Sequence, residues 1–363
     1  MGLSVTTTRW IKLVAIPLAA LVIGVLIAIA SSPSSLSRGR TLSTPVPPSP
    51  SLVASPVQSV TTAGVLGKAP QLMTAGTQSV VGRTANRAAG SADGGKTWVT
   101  VAPPANGSGV AVDPANPQRG IAGGNSVQVT TNGGSTWKPI QVPPPPTGPY
   151  VPVLISPFDG NVWFFLHGGK LLRTRDSAQT WRDIPGLPAL SAPLLVAGPV
   201  FGQFYLASGG SVFSLIDNGQ QVTAQPSLPV GDSVTDLAAP GGNQFTLFAR
   251  ASTGATYLLK GDTWSTVTGA PGGPIAAGAN GVLFVGDGGG KLGSPGIVAS
   301  SVDGGSTWRQ ANGLPYDQSV EALAGQPGSA IFVAYCYGGD VYASADGGRA
   351  WRLLTRALRT TTG

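Results

Sequence analysis

At 363 residues the chain has length for two or three ordinary domains, but its 53 glycines and 32 prolines, with only 10% charged residues, exclude long amphipathic helices as the main building material. The net charge of +7 weakens as a nucleic-acid signal once it is located: residues 59–363 hold 18 basic and 15 acidic residues, without a Lys/Arg cluster that could track a phosphate backbone. One cysteine, Cys336, forbids an intramolecular disulfide, and one histidine, His167, excludes a His-rich metal centre and argues against a Ser-His-Asp triad.

Residues 1–12 carry Arg9 and Lys12 and are expected to form a short cytoplasmic segment. Residues 13–30, LVAIPLAALVIGVLIAIA, are 18 consecutive residues without a charge. As a helix they would be roughly 27 Å long, close to the ~30 Å hydrocarbon thickness of a bilayer, with Trp10 at the interface. This predicts a transmembrane signal anchor. Ala28-Ile29-Ala30 before Ser31 also forms a small-residue cleavage site, so a removed signal peptide is the competing reading. Either places residues 31–363 outside the cytoplasm, tethered to the cell membrane or secreted. Fifteen of the 28 residues from 31 to 58 are Ser or Pro. Such a stretch cannot bury a core and is expected to be a disordered, extended linker.

Residues 59–363 repeat. Ser91–Trp98 reads SADGGKTW, Thr130–Trp137 TTNGGSTW, Thr174–Trp181 TRDSAQTW, Ser301–Trp308 SVDGGSTW and Ser344–Trp351 SADGGRAW. A shortened copy, GDTW, ends at Trp264, and Ser214–Val222 keeps an Asp and a Gly around Asp217 while losing its Trp. The tryptophans step by 39, 44, 83, 44 and 43 residues, and the long step hides the Asp217 copy. A period near 42 residues, with short β-branched runs between Gly-rich turns, fits four-stranded propeller blades. The expected fold is therefore all-β: a seven-bladed β-propeller over 59–363, behind the single helix and the linker.

Within the box the expected roles are structural. Asp93, Asn132, Asp176, Asp217, Asp303 and Asp346 can accept hydrogen bonds from the backbone of their own turns. The glycines supply positive φ. Trp98, Trp137, Trp181, Trp264, Trp308 and Trp351 offer large apolar faces to pack between neighbouring blades.

The consensus S-x-D-x-G-x-T-W resembles the Asp-box, or bacterial neuraminidase repeat. That repeat is found in sialidases, other glycoside hydrolases, sortilin-type receptors and the photosystem II assembly and stability factors, and the grammar here is most similar to the last group. The resemblance covers nearly all of 60–358 and implies the propeller, with the ligand site on the face opposite the boxes.

An active sialidase would need three arginines for the substrate carboxylate, a Tyr–Glu nucleophile pair and an Asp acid/base. The chain has one glutamate, Glu321, and nothing that matches the sialidase motif. No catalytic residue, cofactor or metal is assigned. What remains is the face of variable loops, where Arg83, Arg87, Lys170, Arg250 and Lys291 are expected to form a loose basic ring, with Asp287, Tyr337, Asp340, Tyr150, Asp232, Tyr316 and Asp317 around it. The expected function is a non-catalytic, monomeric scaffold or assembly factor binding a protein, with a glycan-binding module or divergent glycosidase as the alternative.

Overall fold

The computed structural model describes residues 71–355 apart from 75–79, 85–86, 94–95, 143–147, Val230, 242–246, 280–282, 287–297, 311–313, 315–318, 327–328 and 337–339. By its contacts the chain divides into 1–57 and 58–363, and the first unit lies outside the described residues. The predicted segments 1–12, 13–30 and 31–58 are therefore not placed.

The described chain is an all-β propeller of 28 short strands. They form seven four-stranded antiparallel sheets, each made of four consecutive strands. The sheets occupy 71–101, 107–140, 151–183, 194–224, 234–266, 275–310 and 320–355, called blades 1 to 7 below. Each blade is covered on both faces by its neighbours, so its middle strands read as apolar runs, such as Trp163–His167 and Phe332–Cys336. Cys336 is a fully buried thiol in the second of these.

Alternation along a strand then decides which joint a side chain enters. In Lys170–Thr174, Leu171 joins the core shared with blade 4, through Leu206, Phe213 and Leu215. Leu172 points the other way, into the core shared with Ile121 and Val127 of blade 2. The ring closes where Ala89 of blade 1 packs with Val333, Tyr335 and Val341 of blade 7.

Each box tryptophan packs on the core between its own blade and the one before. Trp137 joins the blade 1–2 core, Trp181 the 2–3 core, Trp264 the 4–5 core, Trp308 the 5–6 core and Trp351 the 6–7 core. Trp98 packs on the closing core between blades 7 and 1. At the blade 3–4 joint the position is Val222, which pairs with Leu215 as Trp264 pairs with Leu259.

The expected architecture is corrected on two points. First, the copies around Asp217 and Trp264, expected as worn boxes, are other turns, so that only five blades, 1, 2, 3, 6 and 7, pass from third to fourth strand through the box. In blade 4 Ile216 pairs with Gln221, and Asp217 and Asn218 both take positive φ, 49° and 52°. In blade 5 Lys260 pairs with Thr263, leaving only Gly261-Asp262 as the turn, so GDTW is a two-residue hairpin and not a worn box. Second, the fold was expected to include a membrane-spanning helix. The described residues form no helix long and apolar enough to cross a membrane, and the expected span 13–30 lies outside them.

Candidate functional site

The five full boxes share one hydrogen-bond pattern, which explains their residue types. The first residue, Ser91, Thr130, Thr174, Ser301 or Ser344, is buried. Its hydroxyl donates to the Asp or Asn two positions on, at 2.7–2.9 Å. The same hydroxyl accepts the amide four positions on in blades 2, 3, 6 and 7. The carboxylate of Asp303 then accepts the Thr307 amide at 2.9 Å and the Thr307 hydroxyl at 2.6 Å. Asp176 does the same with Thr180, Asp93 with Thr97, and Asn132 manages with an amide by donating to the Thr136 hydroxyl. These bonds hold the carboxylates of Asp176 and Asp303 in their charged form, at a pKa of about 2, through the threonine hydroxyl first and the threonine amide second. In blade 3 Ser177 and Ala178 adopt the positive φ that Gly133 and Gly134 adopt in blade 2. The turn chemistry thus outweighs the cost of a side chain in that conformation.

On the opposite face the expected basic ring is not brought together among the described residues. Lys170 is exposed and pairs with Asp183 at 3.2 Å. Arg250 is buried: its guanidinium donates to the Thr256 hydroxyl and the Pro271 carbonyl, both at 2.8 Å, at the blade 5–6 joint. Arg83 and Arg87 lie on the backbone of the second and third strands of blade 1, with their side chains outside the description, and Lys291 lies outside it entirely. Asp287, Tyr316, Asp317 and Tyr337 also fall outside. Asp232 accepts the Tyr257 hydroxyl at 2.7 Å. Glu321 accepts the Ser319 hydroxyl at 2.6 Å, and Asp340 is buried.

Two polar groups inside the ring escape a reading of the sequence. Asp236, on the innermost strand of blade 5, stands opposite Arg250 in the register. Its carboxylate accepts the Leu237 amide and, across the joint, the Ile275 amide of blade 6, both at 2.9 Å. Burial pushes its pKa up to about 7, against those amides and the charge of Arg250. His167 is buried with its ring stacked on Tyr150, centroids 4.0 Å apart. Its Nδ1 lies 3.4 Å from the Pro149 carbonyl, and Nε2 has no hydrogen-bond partner among the described residues.

The feature best suited to binding lies on the box face, at the joint that lacks the tryptophan. A cleft of about 320 Å³ is lined by Arg173, Arg175, Thr180, Arg182 and Gln220. Strand geometry gathers the three arginines. Arg173 lies on the third strand, Arg175 just past its end, and Arg182 is the direct cross-strand neighbour of Arg173. Arg173 is buried and donates to the backbone carbonyls of Asp217 and Asn218 in blade 4. Burial, and then the neighbouring charge of Arg175, lower its pKa, with Asp217 opposing and Arg182 adding to the fall. Arg175 reaches the Asp217 carboxylate at 3.5 Å and stays half-exposed, while Arg182 is exposed. Three guanidiniums thus face one carboxylate in an open cleft, an arrangement that suits planar anionic groups. The signal was in the sequence, as R-T-R at the end of a strand with another Arg after the box tryptophan. Among the described residues no group of three or more His, Cys, Asp or Glu is placed to hold a metal ion.

No family model and no curated protein match this chain. Among solved structures, the GH74 enzyme of Niastella koreensis matches with a TM-score of 0.54 at 14% identity, over 80% of this chain and 54% of that one. An ancestral GH74 enzyme matches with a TM-score of 0.54 at 13% identity, over 79% and 46% respectively. YCF48 bound to D1 peptide matches with a TM-score of 0.44 at 18% identity, over 67% of this chain and 83% of that one. The chain spans about half the length of the two GH74 chains. At these identities the likeness is one of fold, and the chain has a β-propeller fold similar to that of the GH74 enzymes.

Proposed function

We propose that this protein is a non-catalytic, extracytoplasmic Asp-box β-propeller that acts as a protein-binding scaffold or assembly factor, most similar in its turn grammar to the photosystem II assembly-factor group. The observation that carries the reading is the contrast between its acids and its arginines. Asp93, Asp176, Asp303 and Asp346 tie their own turns, Asp113, Asp159 and Asp236 cap backbone amides, Asp183 and Asp217 are ion-paired, and Asp232 holds Tyr257. Hydrolysis of a glycoside asks for two carboxylates facing a common substrate, about 5–9.5 Å apart. Among the described residues the open charged cleft is instead the one lined by arginines between blades 3 and 4, which suits an acidic partner. Export rests on the apolar stretch 13–30, and the intact mass of the mature chain tells a retained anchor from a cleaved signal peptide.

The alternative, a glycan-binding module or divergent glycosidase, has one point in its favour: burial raises the pKa of Asp236 to about 7, the range a general acid uses. One assay separates the two. The full-length protein is expected to leave aryl-glycosides intact. Turnover that is abolished by Asp236→Asn or Glu321→Gln would overturn the scaffold reading.

A further inference from the structure

Four large apolar side chains stand exposed among the described residues, and three of them belong to one end of blade 4: Val200, Phe201 and Ile216, at 61, 65 and 44% exposure. Val200 and Phe201 lie on the loop between the first two strands of that blade, and Ile216 ends its third strand. Loop and strand end are tied together, because the Asn218 amide donates to the Gly202 carbonyl at 2.7 Å. The turn that makes this bond is the one that receives Arg173 and Arg175 from blade 3. Phe201 is also held in place, its ring 5.8 Å from that of Phe158 across the joint. An apolar knob and a basic cleft therefore share one framework. Single exposed apolar residues need no explanation, but grouping beside a charged cleft marks an interaction site.

We infer that Val200, Phe201 and Ile216 form the apolar half of a docking surface whose basic half is Arg175 and Arg182. Its occupant is an acidic segment of another protein that carries a bulky apolar side chain next to its carboxylates. The inference rests on the protein-binding reading and narrows its partner. Charge selects the occupant, since three guanidiniums face a single carboxylate. Residues 1–92 and 356–363 contain no Asp or Glu, so these segments carry no acidic side chain for the site. The apolar half selects further, because an acid alone would leave Phe201 in water, whereas burying that ring adds affinity and specificity.

The test pans a random peptide library displayed on phage against the full-length protein, Phe201→Ser and the double variant Arg175→Ala/Arg182→Ala. All three changed side chains are exposed, and thermal unfolding confirms that the variants are folded. The wild type is expected to enrich peptides with an acid within a few positions of Phe, Leu or Trp. Phe201→Ser should keep the acid and lose the apolar preference, binding the selected peptide about tenfold more weakly. The double variant should lose the acid preference. Acid-only enrichment on the wild type, or selected peptides that bind Phe201→Ser unchanged, overturns the apolar half and leaves the protein-binding reading standing. No enrichment on the wild type defeats both. A concentration-dependent dimer that Phe201→Ser abolishes would make the occupant a second copy and overturn the proposal.

Discussion

Arg173 of blade 3 donates a hydrogen bond to the backbone carbonyl of Asn218 in blade 4, across the joint where Val222 stands in place of a box tryptophan. At the other six joints an indole packs against the preceding blade; here a guanidinium bridges to the next one. Beside this joint, where the indole is missing, lies a cleft that Arg175 and Arg182 line.

Arg173 and Arg175 should therefore respond differently to truncation. Arg173→Ala takes the guanidinium donor from the Asn218 carbonyl, while the Asp217 carbonyl keeps the Gln220 amide, and should lower stability by about 1–3 kcal/mol. Arg175→Ala removes a half-exposed ion pair and should cost less than about 1 kcal/mol. Urea unfolding of the two variants checks this, and equal midpoints would show that Arg173 does not hold the joint.

The box turn of blade 6 is sensitive to a single methyl group. Gly305 has φ +92°, and a Cβ there would lie 2.1 Å from Cγ1 of Val267 on the last stretch of blade 5. Gly305→Ala combines an unfavourable backbone with overpacking, and should lower stability by about 1–3 kcal/mol. Blade 3 accommodates Ala178 at the matching position because the turn there was built around it. An unchanged unfolding midpoint for Gly305→Ala would contradict the packing described for the blade 5–6 joint.

Asp236 makes stability depend on pH in an unusual direction. Its folded pKa, about 7, lies above the unfolded value near 4, so the folded state holds more protons between these limits. Stability from this group is full below pH ~4 and is lost as pH rises through ~7, an effect on the order of 1–3 kcal/mol. The box aspartates act oppositely and lower down: Asp176 and Asp303, with pKa about 2, lose their contribution as pH falls from about 4 towards 2. Unfolding midpoints measured between pH 5 and pH 8 should fall with pH in the wild type and flatten in Asp236→Asn. A wild-type midpoint that rises across this range and ignores the substitution would refute the assignment.

The contrast between what the sequence reveals and what it hides comes from locality. The full boxes are legible because their chemistry is closed within eight residues: a hydroxyl, an acceptor two positions on and positive-φ positions between. The copies around Asp217 and Trp264 are overread because spacing alone does not fix a turn, while strand register makes one a four-residue loop and the other a two-residue hairpin. Arg250 reads as part of a surface ring because it lies near the end of a strand; its pairing with Asp236, 14 positions earlier, and with Pro271 in the next connector depends on blade packing that local pattern cannot supply. The arginine cleft is visible as the spacing of Arg173 and Arg175 at a strand end, but the family resemblance points to the other face.

Binding of a protein partner in the blade 3–4 cleft is tested most directly by pull-down from native membranes with the full-length chain, comparing the wild type with Arg175→Ala/Arg182→Ala. Partner recovery should fall about tenfold in the double variant while its stability stays within about 1 kcal/mol of wild type. Equal recovery from both proteins would contradict a binding role for the cleft.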